Sequence, residues 1–257
     1  MLSVVIPTLQ KNLKILNALL ENLNKDIAVG EIIIIDNSLQ GFEHNFEKVR
    51  FIIPEQNLYV NPSWNLGVQE SKFDYIALFN DDVLVSESFC SKVFPYLSED
   101  KGILGSFGDD IKYNRGEGFF APIIDKKIEI SPTDNMINGF GVIMIGHKSA
   151  FPHIPEEMKV YGGDDYLFRI NVDNNKQNYL IYGVEIRHFG SLSSSNPALK
   201  EMKAQDEKYF IDNFNPPSKF SFLEKLFSIK IQGRHYVFRI LGIRFRARRK
   251  MEKSITI

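Results

Sequence analysis

Two short stretches decide how this chain is read: Leu2-Ser3-Val4-Val5-Ile6-Pro7-Thr8 and Tyr75-Ile76-Ala77-Leu78-Phe79-Asn80-Asp81-Asp82. Each is a continuous apolar run, rich in β-branched or aromatic residues, that stops abruptly at polar or turn-forming positions. Such runs read as strands buried on both faces. Between them lies a third run of the same kind, Glu31-Ile32-Ile33-Ile34-Ile35-Asp36, which ends in Asn37-Ser38, and a fourth over Val49–Ile53, broken by Pro54. Leu13, Leu16, Leu19, Leu20 and Leu23 recur at helical spacing with Lys, Asn and Glu between them, and Ser63–Ser71 reads as a short helix opening after Pro62. Strands separated by helices need crossover connections, so the first hundred residues predict an α/β sheet with helices on both faces. Ligands of such sheets bind outside the carboxyl ends of the strands. Pro7-Thr8, Asp36-Asn37 and Asn80-Asp81-Asp82 all stand there and are expected to meet in one cleft.

Working outward, residues 102–118 and 121–133 are rich in Gly, Pro and charge and read as loops with short strands. Val142–Ile145 and Tyr179–Tyr182 are further strand candidates, the latter leading to Arg187-His188. Gly162-Gly163-Asp164-Asp165 is a turn that opens a helix, residues 198–214 read as another helix, and Asn215-Pro216-Pro217-Ser218 as a linker. The expected organisation is one domain over 1–214, with a regular α/β half (1–100) and a looser half (101–214), followed by a basic tail over 215–257. In the tail Ile229/Ile231 and Ile243-Arg244-Phe245-Arg246-Ala247-Arg248 alternate with a period of two around Gly233, which predicts a β-hairpin.

Composition narrows the classes. The chain has 257 residues, 44% of them hydrophobic and 25% charged, which is ordinary for a folded domain and excludes disordered and fibrous classes. Cys90 is the only cysteine, so neither a disulfide framework nor a cysteine-based zinc site is available. Met1 leads directly into an apolar strand, and no run approaches the ~20 apolar residues of a membrane span. These features predict a cytoplasmic protein. The formal charge of −1 conceals a split: residues 219–253 hold eleven Lys or Arg against two acids, a net +9, which leaves −10 for the rest.

Chemistry concentrates in three places. In Asn80-Asp81-Asp82 adjacent carboxylates repel one another, a repulsion that a hard divalent cation relieves; the triplet alone also reads as a solvated turn. In Gly162-Gly163-Asp164-Asp165 glycines permit close backbone approach and the helix start favours carboxylates, although a simple N-cap has the same pattern. His188 is either a ligand or a structural histidine. Asp36 either accepts hydrogen bonds from a nucleobase or caps a turn, and Asn57, Asn65 and Gly67 line a pocket or shape their loop.

Taken in order, these segments resemble family 2 glycosyltransferases of the GT-A fold across residues 1–190. Ser3–Thr8 matches the first strand of that family and Ile34-Ile35-Asp36-Asn37-Ser38 its base-binding turn. Asn57–Gly67 is similar to its N-x-G…A-x-N-x-G stretch, and Leu78–Val83 stands where its D-x-D motif belongs. Gly162–Asp165 is similar to its G-x-(E/D)-D, and His188-Phe189-Gly190-Ser191-Leu192-Ser193 to its H-x-G-x-S. Two positions depart from the pattern: Asn80 occupies the first D-x-D position, and Leu58-Tyr59 stands where glycines are common.

The resemblance implies a GT-A (Rossmann-like) mixed sheet with a nucleotide-binding half (1–100) and an acceptor half (101–214), here with a basic C-terminal extension. It implies an inverting transfer from a UDP-, dTDP- or GDP-sugar to a glycan or lipid-linked acceptor, as in polysaccharide or lipopolysaccharide assembly. Asp165 would be the general base and Asp164 would orient the acceptor or support the base. Asp82 and His188 would hold Mg²⁺ or Mn²⁺, and Pro7, Thr8, Asp36, Asn57, Asn65 and Asp81 would form the donor site. A nucleotidyltransferase would want a Gly-rich cationic loop after the first strand, where Pro7-Thr8-Leu9-Gln10-Lys11-Asn12 has no glycine. A phosphatase with an aspartyl nucleophile would carry its acids after the first strand and not the fourth. A non-catalytic nucleotide-sugar-binding relative is the remaining alternative. For the tail, an anionic membrane surface contacted through 219–250 is the expected partner and nucleic acid is not, which predicts peripheral attachment to the inner face of the membrane.

Overall fold

The computed structural model describes residues 1–113, 116–190, 197–214, 227–232, 235–241 and 243–248. Ser191–Ser193 of the late motif, the 215–218 linker and the remaining tail positions lie outside the described residues. The first half comprises β1 (Leu2–Thr8), α1 (Leu13–Lys25), β2 (Val29–Asp36), β3 (Val49–Ile52), α2 (Val60–Glu70), β4 (Tyr75–Phe79), β5 (Val83–Leu84) and α3 (Phe89–Val93). The second comprises β6 (Leu104–Ser106), β7 (Ile111–Tyr113), β8 (Glu129–Thr133), β9 (Ile143–His147), α4 (Gly163–Asp173), β10 (Asn178–Tyr182), β11 (Ile186–His188) and α5 (Pro197–Phe214). The tail supplies β12 (Phe227–Gln232), β13 (His235–Ile240) and β14 (Ile243–Arg248).

Eleven strands form one mixed sheet in the order β14-β13-β12-β8-β10-β6-β9-β4-β1-β2-β3, and β5-β11-β7 form a small second sheet. β1 pairs in parallel with β2 on one side and β4 on the other, and β2 with β3. β9 is antiparallel to both β4 and β6. The apolar runs are continuous because the sheet is covered on both sides. Val4, Ile6, Ile32 and Ile34 share a cluster with Leu16, Leu19 and Leu20 of α1, while Val5, Ile33 and Ile35 share one with Trp64 of α2 and Tyr166 and Leu167 of α4. α1 starts on Asn12, whose side chain accepts from Ile15 N. α2 begins at Val60, three residues earlier than the proline signal indicates. Pro62 falls in its first turn, where a missing N–H costs no intrahelical bond. Gly67 lets α2 press directly on β1; a Cβ there would collide with the Val5 side chain.

The tail forms a three-stranded antiparallel meander, not a two-stranded hairpin. Its β12 meets the rest of the sheet at Gln232 opposite Thr133, and Asp134 N donates to Ile231 O (3.2 Å) beside that pair. The register sorts side chains that interleave in sequence. Ile229, Phe238 and Phe245 form one row, next to Ile240 and Ile243, while Arg239 and Arg244 pair on the opposite face, next to Arg246. Apolar and cationic groups therefore occupy opposite faces.

One charge sits inside the parallel strands. Glu31 of β2 accepts from Ser3 Oγ (2.6 Å), Lys72 N (2.6 Å) and Arg50 Nε (3.1 Å). Burial opposes its ionisation, but these donors outweigh burial and hold the carboxyl below its ordinary range. Its stabilising contribution is thus complete above the unfolded-chain pKa of about 4.3 and is lost as pH falls through the lower folded value. Glu31→Ala is expected to cost about 3 kcal/mol, because it strands the buried Ser3 hydroxyl, the Lys72 N–H and an arginine. Urea unfolding at pH 7 and pH 3 checks both points: the gap between variant and wild type should narrow at the lower pH.

Candidate active site

Parallel pairing of β1, β2 and β4 brings their carboxyl ends to one edge of the sheet, and the predicted residues of these strands meet there. At the end of β1, the buried Thr8 donates its hydroxyl to Asp81 Oδ2 (2.6 Å) and accepts from Gln10 N (2.8 Å). Burial, reinforced by the charge of Asp82, pushes Asp81 up to about 6 against the lowering effect of the Thr8 hydrogen bond. Pro7 lies in β1 beside Ile35 of β2. Asn80 N donates to Val142 O (3.3 Å), tying the acidic turn to the 139–142 segment.

At the end of β2, Asp36 is fully buried and saturated. It accepts from Ser38 N (2.9 Å), Ser38 Oγ (2.6 Å), Gly41 N (2.6 Å) and Gln10 Nε2 (2.8 Å). Burial raises its pKa, but the four donors prevail and keep it below the ordinary carboxylate range. Asn37 joins the strand end to the next loop, donating to Ser63 Oγ (3.0 Å) and accepting from Leu58 N (2.8 Å). Gln10, Leu39 and Tyr59, in the loops after β1, β2 and β3, all have positive φ without being glycine. Strained backbone of this kind collects at ligand clamps.

Asp82 and His188 are brought together by the small sheet. His188 pairs with Val83 in the β11–β5 ladder, Phe189 N donates to Asp82 O (2.8 Å), and His188 Nε2 lies 3.0 Å from Asp82 Oδ1. The other ring nitrogen, Nδ1, is buried without a hydrogen-bond partner. The hydrogen bond that Nδ1 leaves unmade in the interior costs about 1–3 kcal/mol. The Asp82 carboxylate is the donor type that Mg²⁺ and Mn²⁺ prefer, and the His188 imidazole, a donor more usual for softer metals, stands 3.0 Å from it. Among the described residues no cluster of three or more His, Cys, Asp or Glu forms a complete ligand cage. Two protein ligands with the remainder from substrate oxygens is a usual arrangement for Mg²⁺.

The second acidic pair starts α4. Gly162 adopts φ +67, which favours glycine, and a Cβ at Gly163 would collide with the Asn61 amide. Asp164 packs against Gly141, where any side chain would strike its carboxylate. The 139–142 segment therefore touches both the Asn80 turn and Asp164, joining the two acidic motifs. Burial raises Asp164, against the backbone N–H groups of the helix start. Burial, then Asp164 and then Glu207 of α5 push Asp165 up to about 6.

Two further predicted donor residues, Asn57 and Asn65, bond backbone groups of the neighbouring loops. Asn57 Oδ1 accepts from Tyr59 N (2.8 Å), a local turn bond. Asn65 is paired with the Ile154 backbone, donating to its O (2.8 Å) and accepting from its N (2.9 Å). Conversely, Gln10 and Glu207 stand beside Asp36 and Asp165 and carry no signal in the sequence, since their placement depends on partners brought close by the fold.

Residues 3–154 match the model of "Glycosyl transferase family 2". The chain belongs to that family. Thr8, Asp36, Asp81 and Asp82 fall within the matched stretch, whereas Asp164, Asp165 and His188 follow it. Among solved structures, the family member is similar to residues 1–349 of TarS from S. aureus (TM-score 0.52, 12% identity, covering 82% of this chain and 72% of that one). It is also similar to GalNAc-T7 solved with UDP, GalNAc and Mn²⁺ (TM-score 0.56, 13% identity, covering 77% of this chain and 45% of that one). At these identities the likeness shows the fold, a GT-A-type mixed α/β sheet. Among curated proteins none matches the chain. No helix among the described residues is long and apolar enough to cross a membrane.

The raised pKa of Asp165 has a stability consequence. The folded chain holds this proton more tightly than the unfolded one, so stability from this group is present at low pH and is lost as pH rises from about 4 through about 6. Asp165→Asn should therefore melt higher than wild type at pH 8 and match it near pH 3.5. A melting series across pH checks the sign; a variant that melts lower at pH 8 contradicts it.

Proposed function

We propose that the chain is an inverting glycosyltransferase that moves a sugar from a UDP-, dTDP- or GDP-sugar to a hydroxyl of a glycan or lipid-linked acceptor. The observation that carries this reading is the junction at residues 139–142, where the Asn80–Asp82 turn and the α4 acids share one support. It suits a site with donor diphosphate on one side and acceptor hydroxyl on the other.

Asp165 is the general base. Its ionised carboxylate accepts the acceptor proton as the acceptor oxygen attacks the anomeric carbon, and a pKa near the working pH suits that exchange. Asp164 braces the base against Gly141 and helps orient the acceptor. Asp82 and His188 would hold a Mg²⁺ or Mn²⁺ ion, which supplies positive charge for the departing diphosphate. Thr8 keeps Asp81 beside that charge, and Pro7 with Thr8 forms the floor under the nucleotide. Asp36 is the nucleobase contact: of its four donors, the Gln10 amide is a loop side chain that a base N–H can replace. Asn57 and Asn65 shape the donor site through the loops they hold, not by direct contact.

A panel of nucleotide-sugars scored by metal-dependent hydrolysis and transfer identifies the donor. With it, kcat/KM for transfer should rise about tenfold per pH unit up to about pH 6 and then level, the sign expected of a base active when ionised. Asp165→Asn should remove that limb and lower turnover by about 10²–10⁴-fold while donor still binds. Asp82→Ala should abolish Mn²⁺-dependent donor binding, with His188→Ala intermediate. Equal Mn²⁺ affinity in wild type and Asp82→Ala would remove these residues from the metal role.

The tail (215–257) is a membrane-surface attachment, with peripheral location on the inner face of the membrane. Its support is the exposed apolar row of Ile229, Ile240, Ile243 and Phe245, with Arg239, Arg244 and Arg246 on the reverse face. Apolar insertion then holds the meander while the cations act through the longer-range field, about 1 kcal/mol each near an anionic surface. Sedimentation with neutral and anionic vesicles tests it: Phe245→Asp should reduce binding to both, and salt should remove only the difference between them. Indifference of the full-length protein to both vesicle types would contradict it.

A further inference from the structure

The loop that delivers the α4 acids is held from two sides by residues with no role in the reaction described so far. Asp206, on α5 and almost wholly buried, accepts three successive backbone N–H groups on a single oxygen: Lys159 N (3.0 Å), Val160 N (2.6 Å) and Tyr161 N (2.9 Å). The two outer carbonyls of the same tripeptide are taken by Asn61 of α2, whose N donates to Lys159 O (3.0 Å) and whose Nδ2 donates to Tyr161 O (3.1 Å). Gly162 follows at φ +67, Tyr166 N closes the first turn of α4 on Gly162 O (2.8 Å), and Asp165 stands within that turn. A carboxylate collecting several N–H groups makes charge-assisted bonds, roughly twice as strong as neutral ones.

We propose that Asp206 is a positioning residue for the general base: by gripping Lys159–Tyr161 from α5 it fixes the start of α4 and hence the placement of Asp165 against the acceptor hydroxyl. This rests on the assignment of Asp165 as base. The docking of α5 does not itself require Asp206, because Tyr209, Phe210 and Phe214 pack on the core and Phe214 meets Tyr166 ring to ring at 4.9 Å. The adjacent residue, Glu207, contributes its charge to the surroundings of Asp165, so one turn of α5 both sets the position of the base and influences its proton affinity. Besides Glu207, the groups facing Asp165 are Asp164 on its own helix and the Tyr161 phenol, whose pKa burial and then Asp165, Glu207 and Asp164 raise; Lys203 lies 6.0 Å from the Tyr161 ring.

The test compares full-length wild type, Asp206→Ala, Asp206→Asn and Asp165→Asn, using the best donor of the nucleotide-sugar panel and its nucleoside diphosphate with Mn²⁺. In Asp206→Ala, binding of the diphosphate with Mn²⁺ should stay within about twofold of wild type, while kcat for transfer falls about 10²-fold, the scale of an ångström of misplacement. Asp206→Asn keeps an acceptor oxygen and should recover part of that loss. Amide exchange over residues 159–165 should quicken in the Ala variant, and the acid limb of the pH profile should move to lower pH as the base gains solvent. Wild-type kcat in folded Asp206→Ala, an equal loss of diphosphate binding, or unfolding of both Asp206 variants would overturn the proposal. Wild-type turnover in Asp165→Asn would instead overturn the base assignment, and this proposal with it.

Discussion

Parallel pairing of β1 with β2 and β4 is the constraint on which the rest of the structure depends. Parallel neighbours must end at the same edge, so the polar residues that terminate three apolar runs have no alternative to meeting there. Thr8, Asp36 and Asp81 are then within reach of one another's loops, and the Thr8–Asp81 hydrogen bond directly stitches the first strand end to the fourth. The same geometry explains why the strands are apolar throughout. Both faces are covered by helices, and Glu31, a carboxylate inside β2, is tolerated because three donors reach it.

The second half of the site is placed differently. No parallel strand ends at Asp165; its helix begins after a loop fastened by side chains from α2 and α5, with two glycines removing every Cβ from the contact. Accuracy there comes from hydrogen bonds between segments distant in sequence, about a hundred residues apart for Asn61 and Tyr161. Part-buried acids on both sides of the 139–142 segment, Asp81 on one and Asp164 and Asp165 on the other, are held with pKa values above the ordinary range. The fold gives up stability at neutral pH to keep them, a cost that perturbed groups at functional sites commonly carry.

Much of this was legible in the sequence where a signal is local. Uninterrupted β-branched runs identified β1, β2 and β4, leucine spacing identified α1, and the Gly-Gly-Asp-Asp turn identified the start of α4. The start of α2 is not legible, because proline marks a first turn without saying which of its positions it occupies. Asn65 stands in a recognisable motif, but the partner that occupies its amide, Ile154, lies 89 residues on. Asp206 and Glu207 sit in a charged helix whose pattern does not distinguish them from solvated neighbours. In the tail, the period of two was visible, but only the strand register separates the apolar face from the cationic one.

The stereochemistry of transfer tests the central claim most directly. A base at Asp165 that acts on the acceptor hydroxyl belongs to a single displacement, in which the attacking oxygen and the leaving diphosphate occupy opposite faces of the anomeric carbon. Proton NMR of the product formed early in the reaction, read through the coupling at the new anomeric centre, should show the configuration opposite to that of the nucleotide-sugar. A product that retains the donor's configuration would require a different chemistry, such as two successive displacements through a covalent intermediate, and would contradict the account.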